Sequence, residues 1–113
     1  MNFEIQPYKN IVVIRINVIT ANAEYSVEFK NLLLGFFNDR DNKKFIIDFS
    51  MVEFIDSAFL GAMVYAYRTL KENHGEIAIA GLSAELKFRF GITKLDNLFT
   101  ICPSTEDALI KFK

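Results

Sequence analysis

Hydrophobic residues change their spacing several times along the chain, and each change marks an element. Residues 3–16, FEIQPYKNIVVIRI, give a short strand, a turn over 7–10 around Pro7, and a β-branched strand over 11–16. The short connection favours pairing of the two strands. From 22 to 38 the apolar residues Tyr25, Phe29, Leu32, Leu33 and Phe36 recur at helical spacing, with Asn22 or Thr20 as the cap. A polar break, NDRDN at 38–42, precedes KKFIIDF at 43–49, an apolar run without alternation that suits a strand buried on both faces.

The pattern then repeats. A helix is expected over 57–73, ended at His74 and Gly75, where the glycine suits the left-handed conformation past a helix end. EIAIAG at 76–81 is a strand, 83–90 a short helix capped by Ser83, and 98–102 a last strand. Ser104 opens the final helix, where STEDA places hydroxyls and acids at its positive end. The order β-β-α-β-α-β-α-β-α predicts an α/β fold. It is a mixed sheet of four or five strands, parallel over its later part, joined by right-handed crossovers and covered by helices. No repeat, low-complexity tract or linker divides the chain, so residues 1–113 are expected to form one domain.

Composition narrows the function classes. Half of the residues are hydrophobic, with 12 Phe and 4 Tyr, ample for a packed core. Thirteen basic residues oppose fourteen acidic ones, and the adjacent pair Lys43–Lys44 fits a solvated strand edge, so no basic stripe points to nucleic acid. No apolar run reaches the length of a membrane span, and the N-terminus lacks the hydrophobic block of a signal peptide. A single cysteine, Cys102, cannot form an internal disulfide, which fits a reducing cytoplasm.

Catalytic chemistry finds little footing. The glycines form neither a phosphate loop nor a dinucleotide fingerprint. His74 is the only histidine, no cluster has metal-ligand spacing, and Ser57 lacks the small preceding residue of a nucleophile elbow. The expectation is a non-enzyme with no cofactor and no metal.

The stretch FIDSAFLGAM at 54–63 carries the strongest functional signal. Asp56 can cap the helix, which leaves Ser57 in the first turn, near the positive end of the helix dipole. Asp-Ser is also simply a good helix start. Behind it, Leu60, Met63, Val64, Tyr67 and Leu70 form one apolar stripe, expected to be core. Ala58, Ala62, Tyr65 and Thr69 form another, which is either packed against a neighbouring helix or an exposed docking face.

KFIIDFSMVEFIDSAFLGAM, followed by HGEIAIAGLSAELKFRFGITKLDNLFTICPSTEDAL, resembles the STAS domain of bacterial anti-sigma factor antagonists. The shared order is a strand ending in Asp, a short loop, Asp-Ser and a small residue heading a helix. It continues with Gly before a strand, a Leu-Asp segment, and a last helix opened by Thr-Glu-Asp-Ala. The resemblance implies a domain that binds an anti-sigma factor. That partner would also be an ATP-dependent serine kinase, supplying the ATP site and phosphorylating Ser57 to switch the domain off. The alternative is a non-switching STAS scaffold or transporter-associated subunit that uses the same helix face, including self-association as a homodimer. The partner surface implied is Asp56, Ala58, Phe59, Ala62 and Tyr65, with Asn17 and Thr20 from the loop after the second strand. Phe59 stands where the family has Gly, and Asn17 and Thr20 stand where it has a Gly and an acid. No nucleic acid and no membrane insertion are implied.

Overall fold

Strand register decides which helix each side chain meets. The computed structural model describes residues 1–40 and 44–112, side chains at 37–40 excepted. Five strands, β1 (Phe3–Tyr8), β2 (Ile11–Ile16), β4 (Lys44–Asp48), β6 (Glu76–Ala80) and β7 (Thr100–Cys102), form one sheet in the order β1-β2-β4-β6-β7. Only β1 and β2 are antiparallel; every later neighbour is parallel. Helices α1 (Ala23–Arg40), α2 (Ser57–Glu72) and α3 (Ala84–Ile92) are the three crossovers, and α4 (Thr105–Phe112) ends the chain. Two further strands, β3 (Thr20–Ala21) and β5 (Phe54–Ile55), form a small separate parallel pair.

The register aligns like with like. Ile14, Ile47 and Ile79 lie side by side across β2, β4 and β6, as do Val12, Phe45 and Ile77. These residues share one core with Phe29 and Leu33 of α1, Met63, Ala66 and Leu70 of α2, and Leu86 and Phe90 of α3. The alternate positions Val13, Ile46 and Ala78 face the other way. With Ile11, Ala80 and Cys102 they pack against Ala108 and Phe112 of α4. Three consecutive crossovers with one hand put α1, α2 and α3 on the same side, and only α4 reverses to cover the back. Burying each large aliphatic or aromatic side chain contributes about 1.5–3 kcal/mol, so this two-sided sheet is the main stabilising element.

The single α/β domain with a mixed five-stranded sheet is the expected one. Several details differ. Pro7 lies inside β1 rather than in a turn, which an edge strand tolerates because the missing N–H can face outward. The reversal is confined to Lys9 and Asn10, with Lys9 at φ 58°. Helix α1 continues through the first part of the expected polar break to Arg40, and the rest of that break, with Lys43, lies outside the described residues. The last strand starts at Thr100, because residues Leu95–Asn97 form a 3-10 turn.

The end of α2 also corrects the expectation. His74, not Gly75, adopts the left-handed conformation, at φ 65°. Its N–H donates to the Lys71 carbonyl (3.2 Å), and the Gly75 N–H donates to Leu70 (2.6 Å), closing a Schellman motif. Glycine is needed at 75 for space: a Cβ there would lie 2.9 Å from the Leu70 Cβ and 3.0 Å from its carbonyl oxygen. Opposite effects follow at adjacent positions. Gly75→Ala should cost about 1–3 kcal/mol through overpacking, whereas His74→Gly should gain roughly 1 kcal/mol by relieving the left-handed strain. Urea denaturation of the two variants measures both.

Candidate functional site

The small β3–β5 pair brings two distant helix starts together. The Glu53 and Phe54 N–H groups donate to the Ile19 carbonyl (2.8 and 3.1 Å), and the Asp56 N–H donates to Ala21 (3.1 Å). Asp56 is thereby set between α1 and α2 in extended backbone. Its Oδ1 accepts the Phe59 N–H at 2.9 Å and its Oδ2 accepts the Ala23 N–H at 2.9 Å. One carboxylate therefore caps both helices, where two sets of free N–H groups and two positive dipole ends favour an anion. Asn22 completes α1 by accepting the Glu24 N–H at 3.0 Å, so Asn22 rather than Thr20 is its local cap.

With Asp56 in this role, Ser57 is left over. It is exposed, and its hydroxyl has no hydrogen-bond partner among the described residues. Ala58 is exposed as well. Phe59 is not. It is fully buried, its ring centroid 5.0 Å from that of Phe29 on α1, so it is a core residue and not a partner contact. The core stripe of α2 is Phe59, Met63, Ala66 and Leu70, while Leu60, Val64 and Tyr67 of the expected stripe are only partly buried. The helix is thus rotated from the expected phase, so that a large ring rather than Leu60 enters the core beside Phe29.

Next to Ser57, α1 and α2 leave a shallow groove of about 240 Å³. Ser26, Val27 and Lys30 line it from α1, and Ala58, Gly61, Ala62 and Tyr65 from α2. The Lys30 Nζ sits 4.8 Å from the centroid of the Tyr65 ring, within cation–π range. The structure thus brings Ala58, Ala62 and Tyr65 together on one side of α2. Thr20 is exposed and pairs with Phe54, just before Asp56. Asn17 is tied elsewhere: its N–H donates to the Asn2 carbonyl (2.8 Å) and its side chain to Met1 (3.5 Å).

The acids of α1 are engaged outside the groove. Glu28 accepts from the Asn2 side chain at 3.4 Å. The neighbouring Glu24 carboxylate holds the Tyr25 phenol above its ordinary value. Asp48, at the end of β4, accepts the Ser50 N–H (2.8 Å) and the Thr105 hydroxyl (3.1 Å), a structural use.

A second cleft was not apparent from sequence. Ile55, Leu60, Arg89, Phe90, Ile92 and Thr93 line about 270 Å³ between α2 and α3, with Arg89 donating to the Ile55 carbonyl at 3.4 Å. Ile92 in its wall is exposed. A wider hollow of about 570 Å³, lined by residues including Lys9, Lys44 and Phe112, lies where β2 and β4 begin. Among the described residues no three His, Cys, Asp or Glu side chains gather in a metal-binding group, and no helix is long and apolar enough to cross a membrane.

Residues 2–108 match the family model of the STAS domain. Among solved structures, TM1081 of Thermotoga maritima is 23% identical, with a TM-score of 0.87 over 96% of this chain and 92% of that one. An anti-sigma-factor antagonist (STAS) domain protein from Planctomyces limnophilus is 19% identical, with a TM-score of 0.86 over 98% and 97%. The phosphorylated form of SpoIIAA, a Bacillus cell fate determinant, is 17% identical, with a TM-score of 0.77 over 98% and 99%. At these identities the structural likeness establishes the shared fold.

The geometry of the two helix starts gives two stability predictions. Asp56→Ala should lose both caps and cost about 2 kcal/mol, at roughly 1 kcal/mol per cap. Gly61→Ala should gain up to about 1 kcal/mol from helix propensity, because a Cβ there meets nothing within 4 Å. Chemical denaturation followed by circular dichroism reads both changes, and a stabilised Asp56→Ala protein would refute the shared cap.

Proposed function

This chain belongs to the STAS domain family, and from that premise we propose that it is an anti-sigma factor antagonist, a binding module that phosphate on Ser57 turns off. The partner is an anti-sigma factor that is also a serine kinase. That partner supplies the ATP, and the domain itself works in the cytoplasm by binding rather than by catalysis. The observation that carries this reading is the division of labour between Asp56 and Ser57. Asp56 supplies the side-chain cap of α2, so the exposed Ser57 hydroxyl is spare and can be modified without removing a contact the fold uses.

Phosphate at Ser57 adds about two negative charges and three acceptor oxygens to the head of α2, where the helix dipole tolerates them. The domain therefore stays folded in both states. What changes is the surface beside the groove: a partner that must exclude water there meets a dianion whose desolvation is costly. The existence of SpoIIAA in a phosphorylated form supports the view that this fold accommodates the modification. Burial of Phe59 supports it too, since the ring does not obstruct a kinase approaching Ser57.

A second reading, a non-switching assembly module or transporter-associated subunit, draws on the cleft between α2 and α3. Ile92, which lines it, is more than half exposed. In that reading the partner is a protein docked permanently, a second copy of this chain included.

Side-by-side capture from native lysate separates the two. Wild-type and Ser57→Ala baits should both retain an ATP-binding kinase, and Ser57→Asp should lose it while its stability moves by less than about 0.5 kcal/mol. Equal recovery of the same partners by wild-type and Ser57→Asp baits would leave the assembly reading.

A further inference from the structure

Resting on that reading of the α1–α2 face, we propose that the groove beside Ser57 receives an amphipathic helix of the partner, which sets a carboxylate against Lys30. The shape comes first. Gly61 is exposed in the middle of α2, and a Cβ there would meet nothing within 4 Å. Internal packing therefore does not call for glycine, although it costs about 1 kcal/mol relative to alanine within a helix. Together with Ala58 and Ala62 it keeps the floor low, while Val27 (60% exposed) and Tyr65 (55%) stand up on either side. A slot between two parallel helices, with small residues below and apolar residues at its rims, suits a third helix laid along it.

Charge selects the helix. Lys30 is the sole charged residue among those lining the groove. It is half-buried, rests over the Tyr65 ring, and has no carboxylate partner among the described residues. The nearby acids do not serve it: Glu28 takes the Asn2 amide, and Glu24 makes no ion pair with Lys30 among the described residues. An ammonium held over a ring without a counter-ion is complementary to an acidic side chain and repels a basic one.

Tyr65 lies eight residues beyond Ser57, about 12 Å along the helix axis. Lys30 over Tyr65 thus marks one end of the groove, and Ser57 immediately precedes Ala58, which lines the other. Phosphate at Ser57 reverses the sign of that second end and opposes the same acidic helix.

Selection of helix-forming peptides displayed on phage, with the folded domain as bait, tests this without the natural partner. Wild-type bait should enrich peptides with Asp or Glu at one fixed position of an apolar helical stripe. Lys30→Glu bait should enrich Lys or Arg at that position instead. Synthetic copies of the wild-type winners should bind Lys30→Gln about tenfold more weakly, and should not bind Gly61→Trp, whose melting temperature confirms that it is folded. The proposal is overturned if no peptide is enriched, if winners show no acid preference, or if Gly61→Trp binds them as well as wild type. A Ser57→Asp bait keeps the two readings apart. Acid-bearing winners that bind it undiminished would remove the switch and leave the acidic-helix site standing.

Discussion

The carboxylate of Asp56 is the constraint on which the rest of the site depends. Its two oxygens are spent on backbone N–H groups of different helices, Phe59 on α2 and Ala23 on α1. These residues are brought together by the β3–β5 pair, which holds Asp56 through its own N–H and the Ala21 carbonyl. Three consequences meet there. The two helices start at one level, the groove between them opens next to Ser57, and the serine is relieved of capping. A neutral residue at 56 would leave two helix ends and a loop without their common anchor.

The sheet makes this arrangement rigid. Aligned rows of apolar side chains across β2, β4 and β6 fill both faces, so α1 and α2 are seated side by side on a common surface. The segments at the heads of these helices add Ala21, Val52 and Ile55 to the same core and are fixed further by backbone hydrogen bonds to Ile19 and Ala21.

Most of this architecture was legible in the sequence, because unbroken runs such as FIID and recurrences such as Tyr25, Phe29 and Leu33 specify a strand and a helix through spacing alone. Ser57 was singled out for a different reason, the ordered set of motifs around Asp-Ser. What escaped is non-local or too short to be periodic. Two-residue strands at 20–21 and 54–55 carry no alternation to detect. The bond from Asp56 to Ala23 spans 33 residues, so only the local half of the cap could be foreseen. The phase of α2 was ambiguous because apolar residues at 59, 60, 63, 64, 66, 67 and 70 support more than one core face. Contact with the Phe29 ring resolves it. At the end of the same helix, glycine in HisGly suggested a torsional need, whereas the close approach of Leu70 imposes a steric one.

Burial of Phe59 has an angular consequence. Successive residues on a helix are rotated by about 100°, so a side chain two positions before Phe59 is turned by about 200° from it. With the ring pinned in the core, the hydroxyl of Ser57 is swung toward the far side of the first turn. Phe59 acts as a rotational key for the serine. With Met63, Ala66 and Leu70 on the same buried face, the ring that stands in place of the family's glycine helps to turn the residue 57 hydroxyl outward, so its presentation is set from inside the protein.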